Sequence, residues 1–499
     1  MARCRRLADR LGFIDLLGAQ PLEPQQYVDD ITVACPSLGA LRAVVHPTED
    51  SACKRYSLRA KAQFNYKPGK SAALALLGSP VAGLSTVGCE FVETHVLLGV
   101  LVDDALTFQP FLRDVVRKAR GIFLELLHAG ETGGFSFPIM CAQVLVRIEP
   151  FLLYGAALLA VAPGADVVFN RLQQFFARAL LGCTCFTALA WPLTLATCGW
   201  EMRLGSKILE YAVVARARLF LLPVDHPAAR MFSSALMSPA ASWATLIKRR
   251  MDAARPRILD LFEHPSFSQE DVDLARTDKV FRKNVLQRYR WDVVRPCLIE
   301  TDAARYHKVA CNIVQPLGLP FAAFINFPQR LCQQWLSWQP SPGGWIQLRA
   351  WALVRITGKW PYTLLGDDLT ASISHCRLCG TLGVVVMHVL VQCPIAHMEL
   401  LPCLTQLGIA PHQQNQPLVV LPFLFGVCED STLQWEVIKS VGRVVLGAMG
   451  YSQDFSLLDS SGDTVDVDAA RVLALQQRAT ELSSNMFEDG VWAEEDMTE

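Results

Sequence analysis

Two clusters in this 499-residue chain carry residue types at spacings suited to chemistry. The first is Cys376-x2-Cys379-x8-His388-x4-Cys393, inside HCRLCGTLGVVVMHVLVQCP. Three soft thiolates and one imidazole in this order can close a tetrahedral zinc site. Four protein ligands leave no open position, so such a Zn2+ would be structural rather than catalytic. Gly380 permits a tight knuckle after the first pair, and His388 and Cys393, five residues apart, can converge from one end of a helix. The bland alternative is a set of buried thiols in a chain with sixteen cysteines. His375, just ahead of the knuckle, is a competing ligand of less regular position.

The second cluster is Asp29-Asp30, within QQYVDDITVACP. Adjacent carboxylates repel unless they are solvated or neutralised by a cation. A hairpin tip serves either need. It can be a solvated turn, or it can project hard oxygen ligands into a cleft to hold the Mg2+ ions of phosphoryl transfer. The same dipeptide recurs at Asp103-Asp104 and Asp367-Asp368, where a solvated turn is expected.

The elements that would position these groups follow from periodicity and punctuation. Residues 26–34 read as a tight hairpin, with apolar residues flanking a polar tip. A helical pattern follows around 37–62, with Leu38, Leu41, Val44 and Val45 on one face. FNYKPGKSAALALLG (64–78) reads as a Pro-Gly turn leading into a strand, and THVLLGVLVDDALTF (94–108) as strand, Asp-Asp turn, strand. From Gln109 the pattern turns helical. Phe111, Val115, Ala119, Ile122 and Leu126 form one stripe, and Gly130 is the expected stop. Helical patterning then dominates to about residue 360, and residues 371–400 form a compact Cys/His module.

Composition bounds the class. The chain is 52% hydrophobic and 19% charged, with a mean hydropathy of +0.26. The longest apolar run, FLLYGAALLAVA (151–162), ends at Pro163-Gly164. It falls short of the roughly 18–20 residues a membrane span needs, so a buried helix and no membrane partner are expected. The basic N-terminus is not followed by an apolar signal-peptide core. Scattered cysteines without a secretory context point to reduced thiols and an intracellular setting, nuclear or cytoplasmic. Net charge is −1, yet residues 276–295 hold seven Lys/Arg against two Asp, and the last twelve residues hold six acids and no base. An acidic, disordered tail is expected there. Phe281, Tyr289 and Trp291, interleaved in the basic run, suit base stacking and helix packing equally. Arg113, Arg117, Lys118 and Arg120 are either a solvated helix face or a phosphate-facing one.

In order along the chain, these stretches resemble the reverse transcriptases of non-LTR retrotransposons. QYVDDITV resembles the family's Y-x-D-D hairpin, and FNYKPGKS resembles its Asn…Lys-Ser/Thr segment through Asn65, Lys70 and Ser71, at a longer spacing. VLLGVLVDDALTFQPFLRDVVRKAR looks like the primer-gripping hairpin, with Leu98-Gly99 at its core, followed by the first thumb helix. FLLYGAALLA and the later segment with Gly199-Trp200 resemble the family's tyrosine-glycine helix and its helical sequel. The Cys/His module, closed by Pro394, resembles the CCHC module that follows the polymerase.

The resemblance implies an α+β fold in which partial polymerase palm hairpins precede a mostly α-helical thumb and connection region and a small zinc module. The implied domains are 1–108 (partial palm), 109–220 (thumb and following helices), 221–365 (helical connection), 366–455 (zinc module and C-terminal helices) and 456–499 (acidic tail). It implies Mg2+ at Asp29 and Asp30, Lys70 near the incoming triphosphate, a structural Zn2+, and an RNA template with a DNA primer as partners. One departure from the family sets an expectation about activity. Only 26 residues precede Tyr27, too few for the family's upstream strand with its third carboxylate, and Asp15 sits too close to serve. The chain is therefore expected to have little or no polymerase activity as written. The two other readings are a non-catalytic RNA- or DNA-binding remnant with a structural zinc, and a helical zinc-stabilised scaffold.

Overall fold

The computed structural model describes residues 25–27, 30–32, 72–74, 90–133, 137–181, 191–237, 242–302, 342–357, 375–382, 386–425, 430–449, 457–458 and 464–465. Among these the chain is mostly helical, with four two-stranded sheets. Strands β1 (Gln25–Tyr27) and β2 (Asp30–Thr32) pair antiparallel, with Tyr27 opposite Asp30, where the sequence predicts the first hairpin. Strand β3 (Ala72–Ala73) pairs parallel with β4 (Glu90–Phe91). The helical pattern expected at 37–62, the Pro-Gly turn before β3 and the acidic tail at 488–499 lie outside the described residues.

Strands β5 (Thr94–Leu97) and β6 (Val100–Asp103) form the second hairpin. Its turn is Leu98-Gly99, not Asp103-Asp104. Both turn residues have positive φ (49° and 81°), the backbone that matches the twist of a two-residue hairpin. Asp103 instead closes β6 opposite Thr94, and its side chain is buried. Its carboxylate accepts from Thr107 N (2.9 Å), Thr107 Oγ1 (2.7 Å) and Phe108 N (2.7 Å). Burial acts to raise the pKa of this group, but the hydrogen bonds from Thr107 and Phe108 outweigh it and hold the carboxyl below its ordinary value. The acid thus fastens the turn that leads into helix α1 (Gln109–Gly133).

Helix α1 buries Phe111, Leu112, Val115, Ala119, Phe123, Leu126 and Leu127, the core stripe that its period predicts. Ile122 is only half-buried, and Arg120 is buried with its guanidinium over the Phe175 ring. Arg113, Arg117 and Lys118 remain exposed, so the basic face keeps three of its four members. Gly130 does not stop the helix. It is buried in the helix, packed so closely by the Met140 side chain that a Cβ there would strike it.

The apolar run 151–162 is not one helix. Glu149–Leu153 ends at Tyr154, Gly155 turns left-handed (φ 74°), and Ala156–Leu159 follows. A Cβ at Gly155 would lie 2.8 Å from the Phe111 ring, so both the turn and the packing require glycine. No helix among the described residues is long and apolar enough to cross a membrane. Helix α2 (Leu204–Phe220) starts just after Gly199-Trp200, as expected, with Trp200 buried.

The contacts divide the chain into two compact units. One comprises 1–115, 155–165 and 208–297, and the other 116–154, 166–207 and 298–499. In the first, buried Arg216 pairs with Asp260, which also holds Lys248 at 3.0 Å. The basic run of this unit is largely consumed internally. Arg290 and Arg295 both pair with buried Glu210, Arg282 donates to the carbonyls of Ala275 and Arg276, and Arg288 lies over the Phe267 ring. Tyr289 is fully buried, its hydroxyl donating to Leu259 O at 2.7 Å, while Trp291 is partly exposed beneath the Arg295 guanidinium. Helix packing thus accounts for Tyr289.

In the second unit, helix α3 (Pro342–Thr357) packs on helix α5 (Ser431–Met449), with helix α4 (Pro394–Gln406) on the same partner. Gly442 makes the first approach possible, since a Cβ there would lie 2.5 Å from Gln347 O and 2.7 Å from its Cα. Trp351 stacks on Phe425 and donates to Leu424 O at 2.9 Å. Arg349 donates to Leu180 O at 2.9 Å, and the fully buried Arg355 to Thr197 Oγ1 at 3.1 Å.

Candidate metal centre

The Cys/His cluster is assembled from two pieces of backbone in the second unit. The first is a knuckle. Cys376 N donates to Thr381 O (2.8 Å) and Gly380 N to Cys376 O (2.7 Å), and a single antiparallel bridge pairs His375 with Leu382. Gly380 sits at φ 76°, a left-handed position that disfavours any side chain, which is why the knuckle needs glycine there. The turn brings Cys376 and Cys379 to one side.

The second piece is a π-helical turn, His388–Gln392, in which Cys393 N donates to His388 O at 2.7 Å. In an α-helix, residues five apart point about 140° away from one another around the axis. The wider i→i+5 turn brings His388 and Cys393 back towards the same side, so the convergence predicted from their spacing depends on this departure from α geometry. Val389, Leu390 and Val391 anchor the turn in the core. Cys393 then caps α4, with Pro394 in the first turn and its thiol accepting from Ala396 N at 3.5 Å. A thiolate at a helix N-terminus gains from the aligned peptide dipoles.

The four ligand atoms all lie within 4.8 Å of one another. Cys376 and Cys393 sulfurs are 4.0 Å apart, and Cys379 Sγ is 3.2 Å from His388 Nε2. A tetrahedron built on Zn–S of about 2.3 Å and Zn–N of about 2.05 Å has S···S edges of ~3.8 Å and S···N edges of ~3.5 Å. The observed separations bracket those edges, so this Cys3His set can hold a zinc ion. Its protons are unevenly bound. Hydrogen bonds from Thr381 hold the Cys379 thiol down at about 6, while burial pushes the Cys393 thiol up to about 11. Cys376 and Cys393 are buried, and Cys379 and His388 are half-buried.

The knuckle is docked as well as folded. Arg377 N donates to Ala448 O at 3.2 Å, and the Leu378 side chain fills the space beside Gly447, where a Cβ would come within 3.2 Å of it. Neither docking point is marked by the motif, nor is Thr381, whose hydroxyl lies 3.2 Å from Cys379 Sγ. A hydroxyl two residues past a ligand was the available signal for Thr381. The docking points leave none, because their partners lie some 70 residues away. His375 is exposed and stands outside the four-ligand group.

Of the other candidate residues, Asp30 opens β2 with its backbone opposite Tyr27. Asp29, Asn65, Lys70 and Ser71 lie outside the described residues. Fold and site together define a chain that is mostly helical among its described residues and carries a Cys3His cluster that could hold a zinc ion. Compared with known proteins, the chain matches no family model, no curated protein and no solved structure.

Proposed function

We propose that this chain is a nucleic-acid-binding protein of the non-LTR reverse-transcriptase kind, stabilised by a zinc ion on Cys376, Cys379, His388 and Cys393. The observation that carries the zinc reading is the mutual approach of the four ligand atoms, within 4.8 Å. The lineage reading is supported by the chain order: a short antiparallel pair with Asp30 opposite Tyr27, a second hairpin turning at Leu98-Gly99, then a long helix with exposed Arg113, Arg117 and Lys118. In this reading Asp29 and Asp30 bind Mg2+, Lys70 approaches a triphosphate, and exposed cations meet the phosphate backbone of an RNA template and its DNA primer. In this reading the cysteines stay reduced, as in an intracellular compartment.

In this reading the described residues bind nucleic acid without copying it. The test pairs two assays on purified, zinc-loaded protein. RNA binding is expected to weaken steeply between 50 and 200 mM salt, as counterion release requires, and primer extension on an RNA template with Mg2+ is expected to give no product. Absence of salt-dependent binding would leave the zinc-stabilised helical scaffold as the surviving reading. Synthesis that disappears in Asp30→Asn would instead make the chain a working polymerase.

A further inference from the structure

The three sulfurs of the Cys3His centre differ in access. Cys376 and Cys393 are fully buried, whereas Cys379 is half-buried at the rim, beside the half-buried His388. A solute oxidant therefore meets Cys379 first. Both buried sulfurs lie within 4.8 Å of it, so a second thiol is in place to complete an oxidation. Bringing a pair to the ~2.05 Å of an S–S bond asks for less than about 3 Å of movement. An accessible thiolate next to a resolving thiol is the arrangement of a redox-sensing cysteine.

We propose that the centre is a peroxide-responsive zinc-release site, with Cys379 as the sulfur oxidised first and a buried ligand cysteine as the resolving one. The proposal rests on the zinc reading above. In the first step the Cys379 sulfur attacks one peroxide oxygen, the O–O bond breaks, and a sulfenic acid and hydroxide form. In the second step the neighbouring thiolate attacks the sulfenic sulfur and expels a second hydroxide, giving a disulfide. Two sulfurs together lose two electrons and one peroxide gains them. Zinc then keeps only His388 and one cysteine of its four ligands and leaves as the aquo ion. With Cys376 as the resolving thiol the knuckle, whose own backbone bonds are few, loses its cross-link to the π-helical turn and with it the docking of Arg377 and Leu378 on α5; with Cys393 a single S–S bond replaces the zinc as that cross-link.

The test uses the full chain. Native mass spectrometry first counts zinc, with one ion per chain expected. Hydrogen peroxide is then added while released zinc is followed with a chromophoric chelator, and dimedone traps sulfenic acids for peptide mapping. The expected result is first labelling at Cys379, one zinc and one Cys379-containing disulfide per peroxide consumed, and recovery on adding dithiothreitol and zinc. First labelling at Cys376 or Cys393 would overturn the proposal. So would zinc retained while Cys297, half-buried and outside the cluster, is fully oxidised. A chain that holds no zinc before peroxide is added would overturn the zinc reading itself, a result read in the first measurement and distinct from the others.

Discussion

Removing the metal should release one segment and leave its support in place, and the size of the effect can be worked from the contacts. The knuckle, residues 375–382, has eight residues. Fixing their backbones costs about 1–2 kcal/mol each, or roughly 8–16 kcal/mol together. Its amide hydrogen bonds run from Cys376 to Thr381, from Gly380 to Cys376 and from Arg377 to Ala448. At about 1 kcal/mol net apiece they return only ~3 kcal/mol. A structural zinc contributes about 10–16 kcal/mol in small zinc modules. With metal, the two sides agree within a few kcal/mol and the knuckle is folded. Without it, the deficit is large and the knuckle opens.

Helix α5 has no such dependence, since Val437, Ile438, Val441, Val444, Val445 and Ala448 are buried along its length. Hydrogen exchange read by mass spectrometry, with and without a zinc chelator, separates the two cases. Peptides covering 375–382 should lose protection on chelation, those covering the middle of α5 should keep it, and readdition of zinc should restore the knuckle. Unchanged protection of the Cys376, Arg377 and Gly380 amides after complete metal removal would refute the reasoning.

Four further outcomes are expected. His388→Ala should weaken zinc binding by more than about 100-fold, beyond the ~10–100-fold typical of losing an outer partner of a ligand, while His375→Ala should leave it unchanged; competition with a chelator of known affinity measures both. Asp103→Asn replaces one accepting oxygen by a donor and removes the charge, so it should destabilise the start of α1 by about 1–2 kcal/mol at pH 7. Because the folded carboxyl titrates below its ordinary value, its contribution is complete above the unfolded pKa and is lost as pH falls through the folded one. The gap from wild type should therefore shrink at acid pH, read as exchange of the Thr107 and Phe108 amides. Finally, Gly442→Ala should lower the melting temperature, because its Cβ meets Gln347 backbone that cannot swing away. Gly121→Ala, exposed on α1 with nothing within 4 Å, should gain up to about 1 kcal/mol from helix propensity.

What was legible in the sequence was what depends on near neighbours. The ligand set was readable because thiolate and imidazole chemistry is carried by residue type, and C-x2-C with a following glycine specifies its own knuckle. Helix α1 was readable because a 3.6-residue period of apolar residues repeats whatever the partner is. The apolar residues flanking a polar tip at 26–34 likewise suited an antiparallel pair.

Other features were settled by groups distant in the chain. Gly130 looked like a stop until Met140 was found against it, and Arg120 looked like part of a solvated face until Phe175 was found beneath it. Asp103-Asp104 looked like a solvated turn, whereas burial and three donors turned Asp103 into the clamp before α1. At the metal centre itself, sequence alone named the four ligands, together with His375 as a rival. Only the tertiary structure chose His388, because the π turn that aligns it with Cys393 is anchored by buried Val389, Leu390 and Val391, and burial is a property of the whole fold rather than of the motif.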